Sequence, residues 1–412
     1  MATLSPAQVR IIKSTVPVLK DHGNAITSAF YSTLLKEHPD LNNIFNQANQ
    51  ANNHQAAALA SSLYAYAANI DDLGVLSPAV EKICHKHASL YIRPEQYKIV
   101  GEYLLRAMED VLGAALTPEV LEAWGVAYWQ LAGILIGREE ELYQEADGWT
   151  DWRDFRIAKK ERESSEITSF YLEPVDRKAL SSFLPGQYIS VMTDVPKLHY
   201  LQSRQYSLSD APNENYYRIS VKKEVGLQNV TEPGYISNVL HDTKGVGDVL
   251  QVSHPYGEFL LDPTKSQDKP VVLLSAGVGL TPMVSMAETM TSRYPDQQIS
   301  FIHGSKSSAT RAFYSELQEL AARHSRMRYT TFVKEPDSVR NGESTKCTFR
   351  GRIDLSRLDR DKDLYLDSER TQYFICGPES FMSDMNDGLA KMGVDNQRIH
   401  MEVFGTGMPV RD

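Results

Sequence analysis

His87 stands late in a helical stretch, with His85 two residues before it and the turn Arg93-Pro94 soon after. Gln55 and Leu59 are four apart and so share one helix face. Tyr31 follows Phe30 on another helical stretch, and Phe45 closes a short turn, Leu41–Phe45. A neutral imidazole ligand, an aromatic wedge and a few polar groups in an apolar cavity are the parts that a haem pocket requires. Taken alone, a histidine at such a position is more often a surface or satisfied residue; its company shifts the balance. No Cys-x-x-Cys-His occurs, so a haem here is expected to be held non-covalently.

A second constellation lies in the middle of the chain. Arg204-Gln205-Tyr206-Ser207 alternates a cation, an aromatic ring and a hydroxyl on a predicted strand. Arginine can clamp a phosphate through two bonds, and a tyrosine two residues on, on the same strand face, can stack on a flat ring. Pro185-Gly186-Gln187-Tyr188 is a turn that leads into another strand, and Pro233-Gly234-Tyr235-Ile236-Ser237-Asn238 is a further Pro-Gly segment that accompanies them.

The third lies further on. The apolar strand Val271–Ser275 runs into Ala276-Gly277-Val278-Gly279-Leu280-Thr281-Pro282-Met283, where glycines let a backbone approach a pyrophosphate. The third glycine of the usual dinucleotide fingerprint is missing. The next strand, Ile299–His303, ends in His303-Gly304-Ser305, without the acidic residue that commonly takes a ribose hydroxyl. Lys306 and Arg311 lie just beyond, compatible with a 2′-phosphate, so NADH and NADPH both remain open. A later strand carries Cys376-Gly377-Pro378, and the chain closes with Met401-Glu402-Val403-Phe404-Gly405.

Composition says which elements must position these groups. Residues 1–147 hold 22 alanines and the other 265 residues only 10, so the first third reads as all-helical. Helices are expected from Ser5-Pro6 toward Lys20, over Ala25–Glu37, Gln55–Ala68 and Ser77–Leu90, from Pro94, and from Pro118 to about Tyr143. After Trp152 short alternating stretches predict antiparallel strands at 155–160, 167–174, 187–193, 203–209, 217–224 and 248–254. From Val271 apolar strands alternate with helical stretches, the pattern of a parallel α/β layer.

The 412 residues imply two to four domains. With 42% hydrophobic and 23% charged residues and a net charge of −10, the chain is globular and a poor partner for nucleic acid. The longest apolar run, near Val271–Leu280, is short of a membrane span, and no secretory signal opens the chain. Three cysteines make no disulfide framework, which points to a reducing, cytoplasmic setting. Nothing reads as a coiled-coil seam, so monomer is the default expectation.

In its first third the chain resembles the globin domain of bacterial and yeast flavohaemoglobins, through Ala29-Phe30-Tyr31, the segment Pro39–Asn46, Lys86-His87-Ala88-Ser89, Pro94-Glu95-Gln96-Tyr97, Ala123-Trp124 and Arg138-Glu139. The middle and last parts resemble the ferredoxin–NADP reductase superfamily, so the likeness covers the entire chain. It implies a multidomain protein: a globin haem-binding domain at 1–147, an antiparallel β-barrel FAD domain at 148–264 and an α/β parallel-sheet NAD(P)-binding domain at 265–412.

By the same resemblance His87 is the proximal iron ligand, held by Tyr97 and Glu139. Tyr31, Gln55 and Leu59 line the distal side, and Phe45 packs on the haem. Tyr188, Arg204, Gln205, Tyr206, Ser207, Gly234 and Ser237 are then the FAD contacts. Gly277, Gly279, Leu280, Thr281, Pro282, Cys376, Gly377 and Pro378 belong to the nicotinamide nucleotide, and Phe404 and Gly405 to the segment that packs on the flavin.

The implied activity is that of a nitric oxide dioxygenase. NAD(P)H reduces FAD, FAD passes electrons singly to haem b iron, and bound O2 converts NO to nitrate. The rivals are an oxygen or redox sensor kept ferrous by its own reductase, and a plain NAD(P)H-flavin reductase without haem.

Overall fold

The alanine-rich third folds as helices whose ends follow local capping chemistry. A computed structural model describes residues 3–47, 50, 52–226, 233–335 and 348–404. Its helices are α1 (Pro6–Ser14), α2 (Val16–Glu37), α3 (His54–Ala68), α4 (Ser77–Ala88), α5 (Pro94–Leu112) and α6 (Pro118–Glu145). At α1 the Ser5 hydroxyl accepts from Gln8 N while Gln8 Oε1 accepts from Ser5 N, a reciprocal cap with proline at the first position.

The break expected between Lys20 and Ala25 falls instead at Thr15, and α2 runs unbroken through Gly23. Pro17 starts the new helix. Gly23 survives inside it because a β-carbon there would already touch Ala60 Cβ at 3.4 Å, so α2 and α3 pack closely at this point. Among the described residues one helix, α6, is long and apolar enough to cross a membrane by length and composition. It packs against α1, α4 and α5, and its buried face carries Trp124, Tyr128, Glu139 and Tyr143.

The next region forms a six-stranded sheet from β1 (Arg153–Arg162), β2 (Ile167–Pro174), β3 (Tyr188–Val195), β4 (Tyr200–Ser207), β5 (Tyr217–Lys222) and β6 (Val249–Val252). Its order is β4-β3-β6-β1-β2-β5, and the pairs β1–β2, β1–β6 and β2–β5 are antiparallel. A bridge between Leu208 and Ile219 joins the two ends of that order, which closes the sheet as the expected barrel. Helix α7 (Tyr235–Asp242) stands between β5 and β6 in the chain.

The last region is a parallel sheet of β7 (Val271–Ala276), β8 (Ile299–Ser307), β9 (Met327–Glu335), β10 (Thr348–Arg350), β11 (Gln372–Cys376) and β12 (Ile399–Glu402). Helices α8 (Leu280–Arg293), α9 (Tyr314–Arg323) and α10 (Glu379–Lys391) connect its strands. The order β10-β9-β8-β7-β11-β12 reverses beside β7, so the carboxyl ends of β7 and β11 flank a switch point where such sheets bind ligands. Apolar clusters cover both faces, one under α8 and α9 with Phe301 and Leu317, the other under α10 with Ile302 and Met385.

The contacts divide the chain into two compact units. One comprises residues 1–152 with the hairpin segment 192–204, the other residues 153–191 with 205–412.

Candidate functional site

In the helical unit, α4 delivers His87, α5 Tyr97 and α6 Glu139 to one point. His87 Nδ1 lies 2.8 Å from Glu139 Oε1 and 2.9 Å from the Tyr97 hydroxyl, which itself donates to Glu139 Oε1 at 2.5 Å. Glu139 is only 2% exposed. A buried carboxylate has to find donors, and here it finds both at one oxygen. Burial and the charge of Glu139 push the Tyr97 phenol well above its ordinary range, so it stays a donor. Tyr128 in turn donates to the Tyr97 carbonyl and fixes the start of α5.

With Nδ1 committed to an acceptor, the imidazole carries its proton there. Nε2, which makes no hydrogen bond among the described residues, keeps its lone pair. That donor set fits haem iron, because a ligating histidine ordinarily gives its other N–H to a carboxylate or carbonyl. The side chain of His87 is about one-third exposed, at 33%, so the nitrogen is accessible.

The predicted distal groups lie on α2, α3 and the turn between them. Tyr31 is buried and meets Phe45 edge-on at 5.4 Å between ring centroids. Burial raises its pKa well above the ordinary phenol, opposed by a hydrogen bond with the Gln55 side chain. Gln55 Oε1 also accepts from Gln50 Nε2 at 2.9 Å. Leu59 is half-buried one turn further along α3, and His54 is exposed. A small apolar cavity among α3, α5 and α6, lined by Leu63, Leu104, Trp124 and Tyr128, includes none of the predicted haem residues.

In the same unit, Arg204 donates to Asn46 Oδ1 at 2.6 Å and to its neighbour's carbonyl at Ser203. Gln202, buried in the hairpin, donates to the Asn42 carbonyl at 2.8 Å and accepts from Gln47 N at 3.0 Å. These polar partners of residues 42–47 were not foreseen; the run of amides in Asn42, Asn43, Asn46 and Gln47 was the available signal.

In the other unit, Tyr188 and Tyr206 are half-buried, Ser207 is buried, and Gln205 donates to Ser190 Oγ at 3.0 Å. The Tyr188 ring passes so close to Gly257 (φ +126°) that a β-carbon there would lie 3.0 Å from it. Gly234 caps α7, and the Ser237 hydroxyl accepts from Glu224 N at 3.3 Å rather than facing outward. The first turn of α7 behind Gly234, an exposed Phe404 (47%) and the half-buried tyrosines fit a flavin dinucleotide. At its far end α7 is held by Lys160, whose ammonium donates to the carbonyls of Leu240 and His241. Gly405 lies outside the described residues.

The glycine turn after β7 has a specific steric cause. A β-carbon on Gly279 would lie 2.3 Å from the Cys376 carbonyl oxygen, and one on Gly377 would lie 3.2 Å from Ala276 Cβ. The ends of β7 and β11 therefore meet backbone to backbone, leaving a cradle that side chains would fill. Gly277 takes the left-handed conformation, φ +57°, and is exposed. Leu280, Thr281 and Pro282 are buried as they open α8, and Thr281 bonds back to the Val278 carbonyl at 3.1 Å. The Cys376 side chain is fully buried, so what it offers the cradle is its backbone; Pro378 is exposed and caps α10. The cradle fits a dinucleotide phosphate.

Two buried polar groups in this unit escaped the sequence reading. Ser275 Oγ lies 3.0 Å from His303 Nδ1 across β7 and β8. Arg218 on β5 reaches Asp210, Glu288 and Glu316 at 3.8, 3.4 and 3.2 Å. Polar residues inside otherwise apolar strands were the only hint of either.

Comparison with known proteins agrees in all three regions. The globin family description matches residues 28–135, that of the oxidoreductase FAD-binding domain residues 154–260, and that of the oxidoreductase NAD-binding domain residues 273–387. The chain is 43% identical to a flavohemoprotein of Oceanobacillus iheyensis, over 99% of this chain and 98% of that one. It is 46% identical to a flavohemoprotein of Bacillus subtilis, over 96% of each. Among solved structures it is similar to a flavohemoglobin from Malassezia yamatoensis with bound FAD and heme. That match has a TM-score of 0.84 at 30% identity, covering 98% of this chain and all (100%) of that one. It is also similar to the FAD/NAD-binding domain of a nitric oxide dioxygenase from Vibrio cholerae, TM-score 0.55, 35% identical, over 62% of this chain and 99% of that one.

Proposed function

The chain belongs to the flavohemoprotein family, and on that premise we propose how its own residues serve the family's activity. It is an NAD(P)H-dependent nitric oxide dioxygenase that uses haem, FAD and a nicotinamide nucleotide, with O2 and NO as substrates. The chemistry these groups supply when bound is hydride acceptance by the flavin, single-electron acceptance by the iron and oxidation of NO to nitrate.

The chain's own part begins with His87. Glu139 and Tyr97 hold the proton on Nδ1 and present Nε2 as the iron ligand. The carboxylate raises the donor strength of the imidazole, which favours activating O2 over storing it. On the distal side burial keeps the Tyr31 proton on, and this hydroxyl, with Gln55 beside it and Phe45 and Leu59 around it, would be the donor available to a partly negative substrate oxygen. For the flavin, Arg204, Gln205, Tyr206, Ser207 and Tyr188 are the orienting residues. Gly234 and the amides behind it take the pyrophosphate, with Ser237 shaping that turn. Gly277, Gly279, Leu280, Thr281 and Pro282 cradle the nucleotide phosphates beside Cys376, Gly377 and Pro378, and Phe404 covers the flavin.

The boundaries that fit this reading are a globin at 1–147, a flavin barrel at 148–264 and a nicotinamide layer at 265–412. We place the protein in the cytoplasm, a reading supported by the free, buried thiols of Cys84 and Cys376, and take it as a monomer.

The observation that carries the proposal is the shared Glu139 oxygen behind His87. Its test is aerobic NO consumption by haem- and FAD-loaded protein supplied with NADH, with nitrate quantified. Rapid conversion dependent on both NADH and O2 is expected. Oxidation of NADH with NO persisting would leave the reductase and make the globin a sensor. Absence of a Soret band would leave a plain flavin reductase.

A further inference from the structure

Arg218 lies on β5 of the barrel and is buried, only 5% exposed, yet most of its partners belong to the parallel layer. Its guanidinium reaches Glu288 on α8 at 3.4 Å and Glu316 on α9 at 3.2 Å, and the Phe313 ring centre lies 5.1 Å away. Asp210, from the barrel, stands at 3.8 Å. The ties back to the barrel are as definite. Arg218 Nε donates to the Ser209 carbonyl at 3.0 Å, and the Arg218 carbonyl accepts from Ser209 N at 2.9 Å. All these residues fall within one compact unit.

Each end of this bridge leads to a proposed cofactor site. Ser209 follows closely on Ser207, the last of the flavin-orienting run that ends β4. Glu288 is on the helix whose first residues, Leu280, Thr281 and Pro282, open the nucleotide cradle. The rise along α8 from Leu280 to Glu288 is about 12 Å. Two further bonds run along the same line: Ser285 Oγ donates to the Asp210 carbonyl at 2.7 Å, and Ala211 N donates to Glu288 Oε2 at 3.1 Å.

Adhesion alone would be served as well by apolar side chains, because burying charges costs desolvation that their attraction offsets only in good geometry. What a planar guanidinium adds is direction, since its fork holds carboxyl partners in a fixed orientation. Three carboxyl groups crowd this one cation. Burial and contact with Glu316 hold the Glu288 carboxyl well above the usual carboxylate range, so it keeps its proton and the cluster closes with less repulsion. Hydride transfer needs such direction. The reacting atoms must meet at about 3–3.5 Å, and a misplacement of about 1 Å costs about a hundredfold in rate.

We propose that Arg218 is a positioning residue for hydride transfer: it fixes α8, and with it the nucleotide cradle, against the flavin-orienting end of β4. The proposal rests on the flavin and nicotinamide readings given above. Its test is stopped-flow flavin reduction by NADH in the FAD-loaded full chain, which separates the limiting rate constant from the apparent nucleotide affinity. Arg218→Met should lower the limiting rate at least about tenfold, while the apparent Kd for NADH moves less than about twofold. Arg218→Lys, which keeps the charge but not the fork, should recover part of that rate. Glu316→Gln alters the cluster at its half-buried edge. It should lower the limiting rate by a smaller factor, and it serves if the arginine variants fail to fold.

An unchanged limiting rate in Arg218→Met overturns the proposal, as does an unchanged rate in Glu316→Gln where the arginine variants do not fold. A loss shared equally between rate and nucleotide affinity also overturns it, since Arg218 would then only hold the cradle in shape. Failure of the underlying reading looks different: NADH would not reduce the flavin of the native chain at all.

Discussion

Glu139 Oε1 stands 2.8 Å from His87 Nδ1, and it is the same oxygen that accepts the Tyr97 proton. One carboxylate oxygen thus sets both the tautomer and the electron richness of the proposed iron ligand. Glu139→Gln keeps a carbonyl acceptor but removes the charge. NO consumption should fall roughly tenfold to a hundredfold, the usual cost of losing such an outer partner. The iron–histidine stretch in resonance Raman spectra of the ferrous protein should move to lower frequency. An unmoved stretch would show that Glu139 does not act on the metal.

Tyr31→Phe removes a buried donor. Hydrogen bonds to charged or partly charged acceptors are worth about 1.5–3 kcal/mol, so O2 should dissociate roughly ten to a hundred times faster, with lower NO turnover. Because burial holds the Tyr31 phenol far above neutrality, O2 retention by the native protein should be flat from about pH 6 to 9. Stopped-flow O2 release across that range checks both statements.

His303 titrates in the reductase core. Burial and the Arg311 charge lower its pKa from 6.5 to about 4. A depressed histidine contributes stability above its unfolded value and loses it as pH falls through the folded one. The window is therefore about pH 6.5 down to about pH 4, with a loss of roughly 3 kcal/mol across it. Denaturant unfolding of native protein and His303→Gln at about pH 7.5 and pH 5 should show the native chain losing about 2 kcal/mol more on acidification. Equal losses would mean that His303 is not buried neutral.

Gly279→Ala drives a β-carbon to 2.3 Å from the Cys376 carbonyl, a backbone atom that cannot swing aside. The turn must shift, at a cost of about 1–3 kcal/mol, and the cradle with it. Flavin reduction by NADH should slow at least about tenfold, with a weaker apparent affinity for the nucleotide. Stopped-flow flavin bleaching against NADH concentration measures both. Gly277→Ala meets no neighbour but strains a left-handed residue, so it should cost about 1 kcal/mol in stability.

Local pattern determined a good deal. Alanine content, the reciprocal Ser5–Gln8 cap, prolines at helix starts and strand alternation are encoded within a few residues. The helices, the barrel strands and the parallel layer could accordingly be read from the chain, as could the candidates His87, Tyr31 and the glycine turn. Where the reading slipped, a distant contact overrode a local signal. A break was expected between Lys20 and Ala25, but Gly23 there is a contact point for Ala60, and α2 continues through it.

Only the tertiary structure decided the pairings. His87 and Glu139 are 52 residues apart, Ser275 and His303 are 28 apart, and Gly279 meets Cys376 through the register of β7 against β11. Such contacts depend on how helices cross and how parallel strands align, and neither is written in the spacing of nearby residues. Likewise the sequence offered Lys306 and Arg311 together as phosphate ligands. Strand alternation turns Lys306 outward, while Arg311 is half-buried against the Tyr314 ring with no ion pair among the described residues.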